Sequence, residues 1–363
     1  MHKALLAAAC LAVIAVPARA QDVVLGAVLP LSGASATLGD DQRRGIELAV
    51  EQINEGGGVL GGRKLRVIVE DSGGRAPSAL DAAKKLVTVD KVPAVIGEYS
   101  SGITIPIGQY LVQEGKVHVN IGSSSGRIRA LGDGAFSVIG LDNVSSGFAA
   151  DDVIAQGWKT AAFIAPNNAY GQGVAEQFQK ALKERGGEVV STVLYTEGQT
   201  TYRRELQQLE RGRPDVYVYS AYGKEAATIN REAFELGLNS TPWYAIYLSM
   251  CTTDADPKFV QGQYGLDLNN IGPDGKSYEE AYRKKYGENF RTSFNGYGYD
   301  SVKLLAAAID KAGSAEPAAI TKALKEIGNG YQGATGDITF DADRQRSKQP
   351  YLRLKIEDGT KQR

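Results

Sequence analysis

Short runs of β-branched and apolar residues alternate along this chain with longer stretches whose apolar positions recur every three to four residues. "DVVLGAVLP" (22–30) reads as a strand, and "LGDDQRRGIELAVEQINEGGG" (38–58) as a helix ended by glycines. Ile46, Ala49, Val50 and Ile53 share one face of that helix. The alternation continues through a strand at 63–71, a helix at 76–90, a strand at 92–99, a helix at 103–115 and a strand at 116–122. Near-continuous apolar strands separated by amphipathic helices predict a parallel sheet covered by helices on both faces.

"GAFSVIGLDNVSSG" (134–147) breaks the rhythm, and the alternation then resumes. "TAAFIAP" (160–166), "EVVSTVLY" (188–195), "DVYVYSA" (215–221) and "WYAIYLS" (243–249) read as strands with helices between them, which makes a second sheet of similar size. Beyond residue 268 come helical stretches at 277–287, 298–313 and 318–328 and a hairpin-like piece at 336–359. No Pro/Ser-rich linker parts the halves. The expected fold class is α/β, with two doubly wound parallel-sheet lobes and a ligand cleft between them, beyond the carboxyl ends of the strands.

Composition narrows the function. Net charge is −1 with both signs spread along the chain, so neither a nucleic-acid surface nor a lipid-binding stripe is expected. Met1, His2 and Lys3 precede "ALLAAACLAVIAV" and then Pro17-Ala18-Arg19-Ala20, the pattern of a secretory signal cut after Ala20. The apolar run is shorter than the roughly 20 residues of a membrane span. Of the two cysteines, Cys10 leaves with the signal and Cys251 stays, so no internal disulfide is expected in the exported chain.

Two motifs suggest enzymes and fail on context. Gly122-Ser123-Ser124-Ser125-Gly126 fits the Gly-x-Ser-x-Gly elbow of a serine hydrolase. That triad needs a histidine after the serine, and the only histidines are His2 and His118. "GGGVLG" (56–61) fits Gly-x-Gly-x-x-Gly but follows a helix and precedes a strand, the reverse of the dinucleotide fingerprint. No metal-ligand spacing, phosphate loop or cofactor motif is present. The serines at 123–125 read better as hydroxyls and N–H groups facing a cleft. Ser101, in "GEYSSG" (97–102), falls near a helix N-terminus that favours a carboxylate, while Ser100 or Ser101 equally suits an N-cap. Tyr170 and Tyr222 stand just past two strands of the second half, suited to a surface loop singly and to a cleft as a matched pair.

These segments carry a family likeness. "VVLGAVLPLSGASATLGDDQRRGIELAVEQIN", "GGVLGGRKLRVIVEDSGG", "VIGEYSSG", "NNAYGQG" and "AFELGL" together resemble the leucine/isoleucine/valine-type periplasmic binding proteins of ABC importers, the type I binding-protein fold. The resemblance implies a periplasmic, monomeric, non-enzymatic protein without cofactor or metal, which closes two hinged lobes on a small ligand and delivers it to an inner-membrane ABC permease. It implies crossings near Asp142, Leu268 and Gly336, with lobe 1 at 21–142 plus 268–335 and lobe 2 at 143–267 plus 336–363. It also implies that Ser101 and Gly122-Ser123-Ser124 hold the ligand carboxylate and help hold its amine, while Tyr170 and Tyr222 close over the ligand.

Three positions depart from the family pattern. Its acid for the ligand ammonium falls near Tyr247, its first-lobe tyrosine is Leu38, and Gly73 and Ser100 stand near its disulfide positions. Glu98, Asp142 or Glu225 remains to supply an anion, or Tyr99, Tyr244 and Tyr247 to build an aromatic wall instead. The expected ligand is therefore a small carboxylate, either an amino acid or a deaminated or aromatic acid. A periplasmic sensor that regulates a partner and imports nothing is the alternative, and an exported serine hydrolase the weakest one.

Overall fold

The computed structural model describes residues 21–268, 272 and 274–362; the expected signal segment lies outside the described residues. The first sheet is built from β1 (Val23–Leu29), β2 (Leu65–Asp71), β3 (Ala94–Gly97), β4 (Val117–Asn120) and β5 (Ala135–Ser137), in the order β2-β1-β3-β4-β5. Every pairing is parallel. Helices α1 (Ala36–Glu55), α2 (Ala76–Thr88) and α3 (Ser101–Gln113) make the crossovers. All four residues of β3 and all four of β4 are buried, as strands covered on both faces require. The segment that interrupts the sequence rhythm adds β5 as a short parallel edge strand.

Helix α4 (Asp142–Ala155) leads into a second sheet. It holds β6 (Thr160–Pro166), β7 (Glu188–Tyr195), β8 (Val216–Tyr219), β9 (Trp243–Ile246) and β10 (Tyr264–Leu268), with α5 (Ala169–Glu184), α6 (Arg203–Glu210), α7 (Gly223–Glu235), α8 (Leu248–Thr252) and α9 (Pro257–Val260) between them. The strand expected over 243–249 ends at Ile246. Tyr247 adopts φ 67° in the left-handed region, and the chain turns at once into α8.

The chain then returns to the first lobe as α10 (Gly275–Tyr286), α11 (Asn295–Ala312) and α12 (Pro317–Ile327), with α11 packed along α1. The C-terminal piece is not one hairpin. β11 (Asn329–Gly333) pairs antiparallel with β12 (Gly336–Thr339), and Phe340 packs on Phe136 of β5. β13 (Tyr351–Glu357) joins the second sheet, antiparallel to β10, and β14 (Thr360–Gln362) adds the edge strand, in the order β14-β13-β10-β9-β8-β6-β7.

The passage between sheets thus falls near Gln349 and Pro350 rather than near the expected Gly336. Arg346 explains the delay. It is 1 % exposed and donates to the carbonyls of Val138, Thr335, Asp337 and Lys348, which ties the segment to the first lobe.

Both sheets reverse strand order once, between β1 and β3 in the first and between β6 and β8 in the second. At such a reversal the flanking loops leave in opposite directions and open a crevice. The residues that follow β1, β3, β4, β6, β8 and β9 meet where the two crevices face each other.

Candidate ligand cavity between the lobes

Six of the residues singled out in the sequence line one cavity. Tyr99, Ser101 and Gly122 come from the first lobe and Tyr170, Tyr222 and Tyr247 from the second. Met250 of α8 and Phe294, just before α11, complete the wall. The cavity measures about 10 Å³, the room of roughly one water. Tyr170, Tyr222, Tyr99, Phe294 and Tyr247 form a continuous arc of rings, with successive centroids 5.7, 5.9, 5.0 and 5.5 Å apart. Three of the four pairs are edge-to-face and Tyr170–Tyr222 is tilted at 32°; such aromatic pairs contribute about 0.5–1.5 kcal/mol each beyond the area they bury.

Each side chain is placed by its local structure. Ser101 is the first residue of α3, and Ser100 takes the N-cap position without a side-chain cap bond. Ser101 Oγ accepts from the Ser125 amide at 3.2 Å, which leaves its own proton free to donate. Asn168 caps α5 by accepting from the Tyr170 and Gly171 amides, both at 3.0 Å. The Tyr170 hydroxyl lies 2.5 Å from Ser220 Oγ, which itself donates to the Ile246 carbonyl. Gly122 is set by close approach, because a Cβ there would stand 2.9 Å from the Tyr99 ring.

The neighbouring serines behave differently. Ser123 and Ser124, each 1 % exposed, do not reach the cavity wall. Ser123 Oγ donates to the Tyr99 carbonyl at 2.9 Å, and Ser124 Oγ donates to Asp142 Oδ1 at 2.5 Å. Tyr244 also points elsewhere, with Asp152 and Arg353 as its charged neighbours. Strand alternation separates it from Tyr247 at the strand's end.

The cavity wall carries no charged side chain. Burial raises the phenols of Tyr99, Tyr170 and Tyr222 well above their usual range and pushes Tyr247 up to about 12, so all four stay neutral at physiological pH. The Tyr99 and Tyr222 hydroxyls are buried without a hydrogen-bond partner in the protein. Of the three acids considered, Glu225 turns to the Tyr195 hydroxyl and the Gly198 amide. Glu98 is fully buried and accepts from Ser72 Oγ and the Ser100 amide, both at 2.7 Å. Asp142 stands behind Ser124 with Oδ2 unpartnered, and burial pushes its carboxyl up to about 7. His118 lies inside β4 with Nε2 2.6 Å from the Gly97 carbonyl, and burial lowers it to about 4.

Phe294 and Met250 escaped the sequence reading. Phe294 is delivered by a loop that two buried acids hold. Asp41 accepts from the Thr292 amide and hydroxyl at 2.8 and 2.6 Å, and Asp267 accepts from Ser293 Oγ and the Ser249 amide. The only sequence signal was "TSFNG", small polar residues around one aromatic just ahead of a helix.

The periplasmic binding protein family model matches residues 22–361, and the chain belongs to that family. An amino acid binding protein of Pseudomonas aeruginosa is 30 % identical over 84 % of this chain and 82 % of its own length. The branched-chain amino acid transporter substrate-binding protein LivJ of Streptococcus pneumoniae, solved with isoleucine, superposes with a TM-score of 0.85 at 24 % identity, over 94 % of this chain and 98 % of that one. A solute-binding protein of an R. palustris ABC transporter, solved with benzoate, gives 0.84 at 19 % identity over 94 % of both chains. The two-lobed α/β architecture is that of type I periplasmic binding proteins. The chain is a periplasmic binding protein of the Leu/Ile/Val-binding type, and these relatives bind solutes rather than catalyse reactions.

Proposed function

We propose that this protein is the exported, monomeric solute-binding component of an ABC importer, and that it captures a small carboxylate by closing its two lobes. The signal-like N-terminus supports export, and lobe 1 and lobe 2 meet through crossings near Asp142, Leu268 and Gln349. One observation carries the reading: residues of both lobes converge on one buried cavity, which in this arrangement has room for about one water, so a ligand must part the lobes to enter and gains contacts from both when they close on it. A ligand shifts such an equilibrium by its differential affinity for the closed form. The Ser101 hydroxyl and the free N–H groups of the first turn of α3 suit the carboxylate. Ser123 and Ser124 shape the turn behind it.

Between the two ligand classes, the cavity wall favours an acid without an α-amine. No anion stands on that wall, and a buried ammonium without one is costly. Five aromatic rings offer apolar faces to an aliphatic or aromatic body, in keeping with the benzoate held by the R. palustris relative. A thermal-shift screen of the chain from residue 21 onward, with aliphatic amino acids, their deaminated analogues and aromatic acids, tests this. A hundredfold excess over the dissociation constant stabilises by about 2.7 kcal/mol. A shift with amino acids but not with deaminated acids overturns the amine-free reading. No shift with any carboxylate overturns the function.

A further inference from the structure

A second cavity, of about 260 Å³, adjoins the first and shares Tyr99 and Tyr222 with it. Ser35 and Ser100 face it from the first lobe, Asn168 and Glu197 from the second. They follow β1, β3, β6 and β7, so this space lies at the same strand ends as the central cavity. Its chemistry is different. The fully buried Glu98 lies against it, and Glu197 stands at its rim, accepting from Asn168 Nδ2 at 3.0 Å. No side chain on its wall carries a positive charge. The Tyr222 residue is 5 % exposed, and its hydroxyl has Ser100 and Asn168 as neighbours without hydrogen-bond geometry to either. Carboxylates only accept, and a phenol oxygen accepts as well as donates, so this wall calls for a group rich in N–H donors.

We propose that this acidic vestibule is a second subsite, which takes the distal ammonium or guanidinium of an extended ligand whose carboxylate sits in the central cavity. The proposal rests on the carboxylate reading above and adds to it a length and a charge. Tyr99 and Tyr222 line both spaces, so a ligand that joins Ser101 to Glu197 has to displace these rings, since the central cavity has room for about one water. Burial raises the Glu98 carboxyl to about 7, a desolvation cost that a bound cation offsets.

Calorimetric titration with two matched pairs tests the subsite: hexanoate against 6-aminohexanoate, and norleucine against lysine. The ω-ammonium member of a pair is expected to bind about tenfold tighter than its methyl-ended partner. Glu197→Gln is expected to remove most of that ratio while leaving the methyl-ended member unchanged, and Glu197→Lys to reverse it, with melting temperatures confirming that both variants fold. Equal or weaker binding of the ω-ammonium members overturns the subsite, and so does a ratio that neither Glu197 variant alters. If the methyl-ended acids bind and Ser101→Ala weakens them while the ammonium adds nothing, the subsite fails alone. If no member of either pair binds, the carboxylate reading fails and takes the subsite with it.

Discussion

Asp142→Asn isolates the energetics of the acid behind the ligand turn. The carboxyl is 1 % exposed, one oxygen accepts from Ser124 Oγ, and the other has no partner. Burial moves it from 3.8 to about 7 in the folded chain. Between those values the folded state holds a proton that the unfolded state has released. Stability contributed by this group is therefore full below about pH 4 and falls as pH rises towards 7. The slope is at most about 1.4 kcal/mol per pH unit and flattens as the folded carboxyl itself ionises near 7, so raising the pH from 5 to 7 costs about 2 kcal/mol from Asp142 alone. Asparagine keeps the shape and the acceptor for Ser124 and does not titrate. Glu98 falls in the same direction, with its carboxyl at about 7, while His118, lowered to about 4, gains stability with pH up to about 6.5. Wild type and variant share both contributions, which cancel in the comparison. Urea unfolding followed by fluorescence and circular dichroism at pH 5 and pH 7 is expected to show the variant gaining about 2 kcal/mol relative to wild type at the higher pH. A difference that stays within about 0.5 kcal/mol across the two pH values would falsify the buried, unpaired carboxyl.

Ser101→Ala removes the free hydroxyl proton at the start of α3 and the acceptor of the Ser125 amide, and is expected to weaken carboxylate binding by about 1–3 kcal/mol with a modest fall in melting temperature; calorimetry on the folded variant showing wild-type affinity refutes the placement. Gly122→Ala sets a Cβ 2.9 Å from the Tyr99 ring and 3.1 Å from its Cα, so it is expected to cost about 1–3 kcal/mol of stability and to reduce affinity, and a neutral outcome in both readouts counts against the tight turn. Tyr247→Glu places an anion on the cavity wall and is expected to favour amino acids over their deaminated analogues by about tenfold; unchanged selectivity means that Tyr247 does not set it.

The lobes were legible because period carries their information. The parallel strands of each sheet are buried on both faces, and their apolar runs stand out between helices with one apolar stripe. What the sequence misplaced depends on pairing between distant segments. Nothing local in "GDITFDADRQRSKQPYL" says that its first strand closes against β11 and that Arg346 holds the chain on the first lobe until Pro350. The cavity divides in the same way. Tyr99, Ser101, Gly122, Tyr170, Tyr222 and Tyr247 sit directly past strand ends, where topology alone directs them inward. Phe294 arrives from a loop some 170 residues beyond Gly122, placed by Asp41 and Asp267, and only the folded chain shows that geometry.

The proposed closure also has an energetic logic. Away from the cavity, two polar contacts join the loop after β1 and the start of α1 to the second lobe: Thr37 Oγ1 to Asp254 Oδ1 at 2.9 Å, and the Lys224 amide to the Ala34 carbonyl at 3.2 Å. Net of water, such bonds contribute about 0.5–1.5 kcal/mol each. Against them stand the Tyr99 and Tyr222 hydroxyls, buried with no partner in the protein, each at a cost of about 1–3 kcal/mol. Turning a 1:99 equilibrium into 99:1 takes about 5.5 kcal/mol of differential affinity. A ligand that satisfies both hydroxyls and covers five rings supplies a sum of that order. A ligand that pairs both phenols is therefore expected to favour the proposed closure more than one that leaves them unpaired.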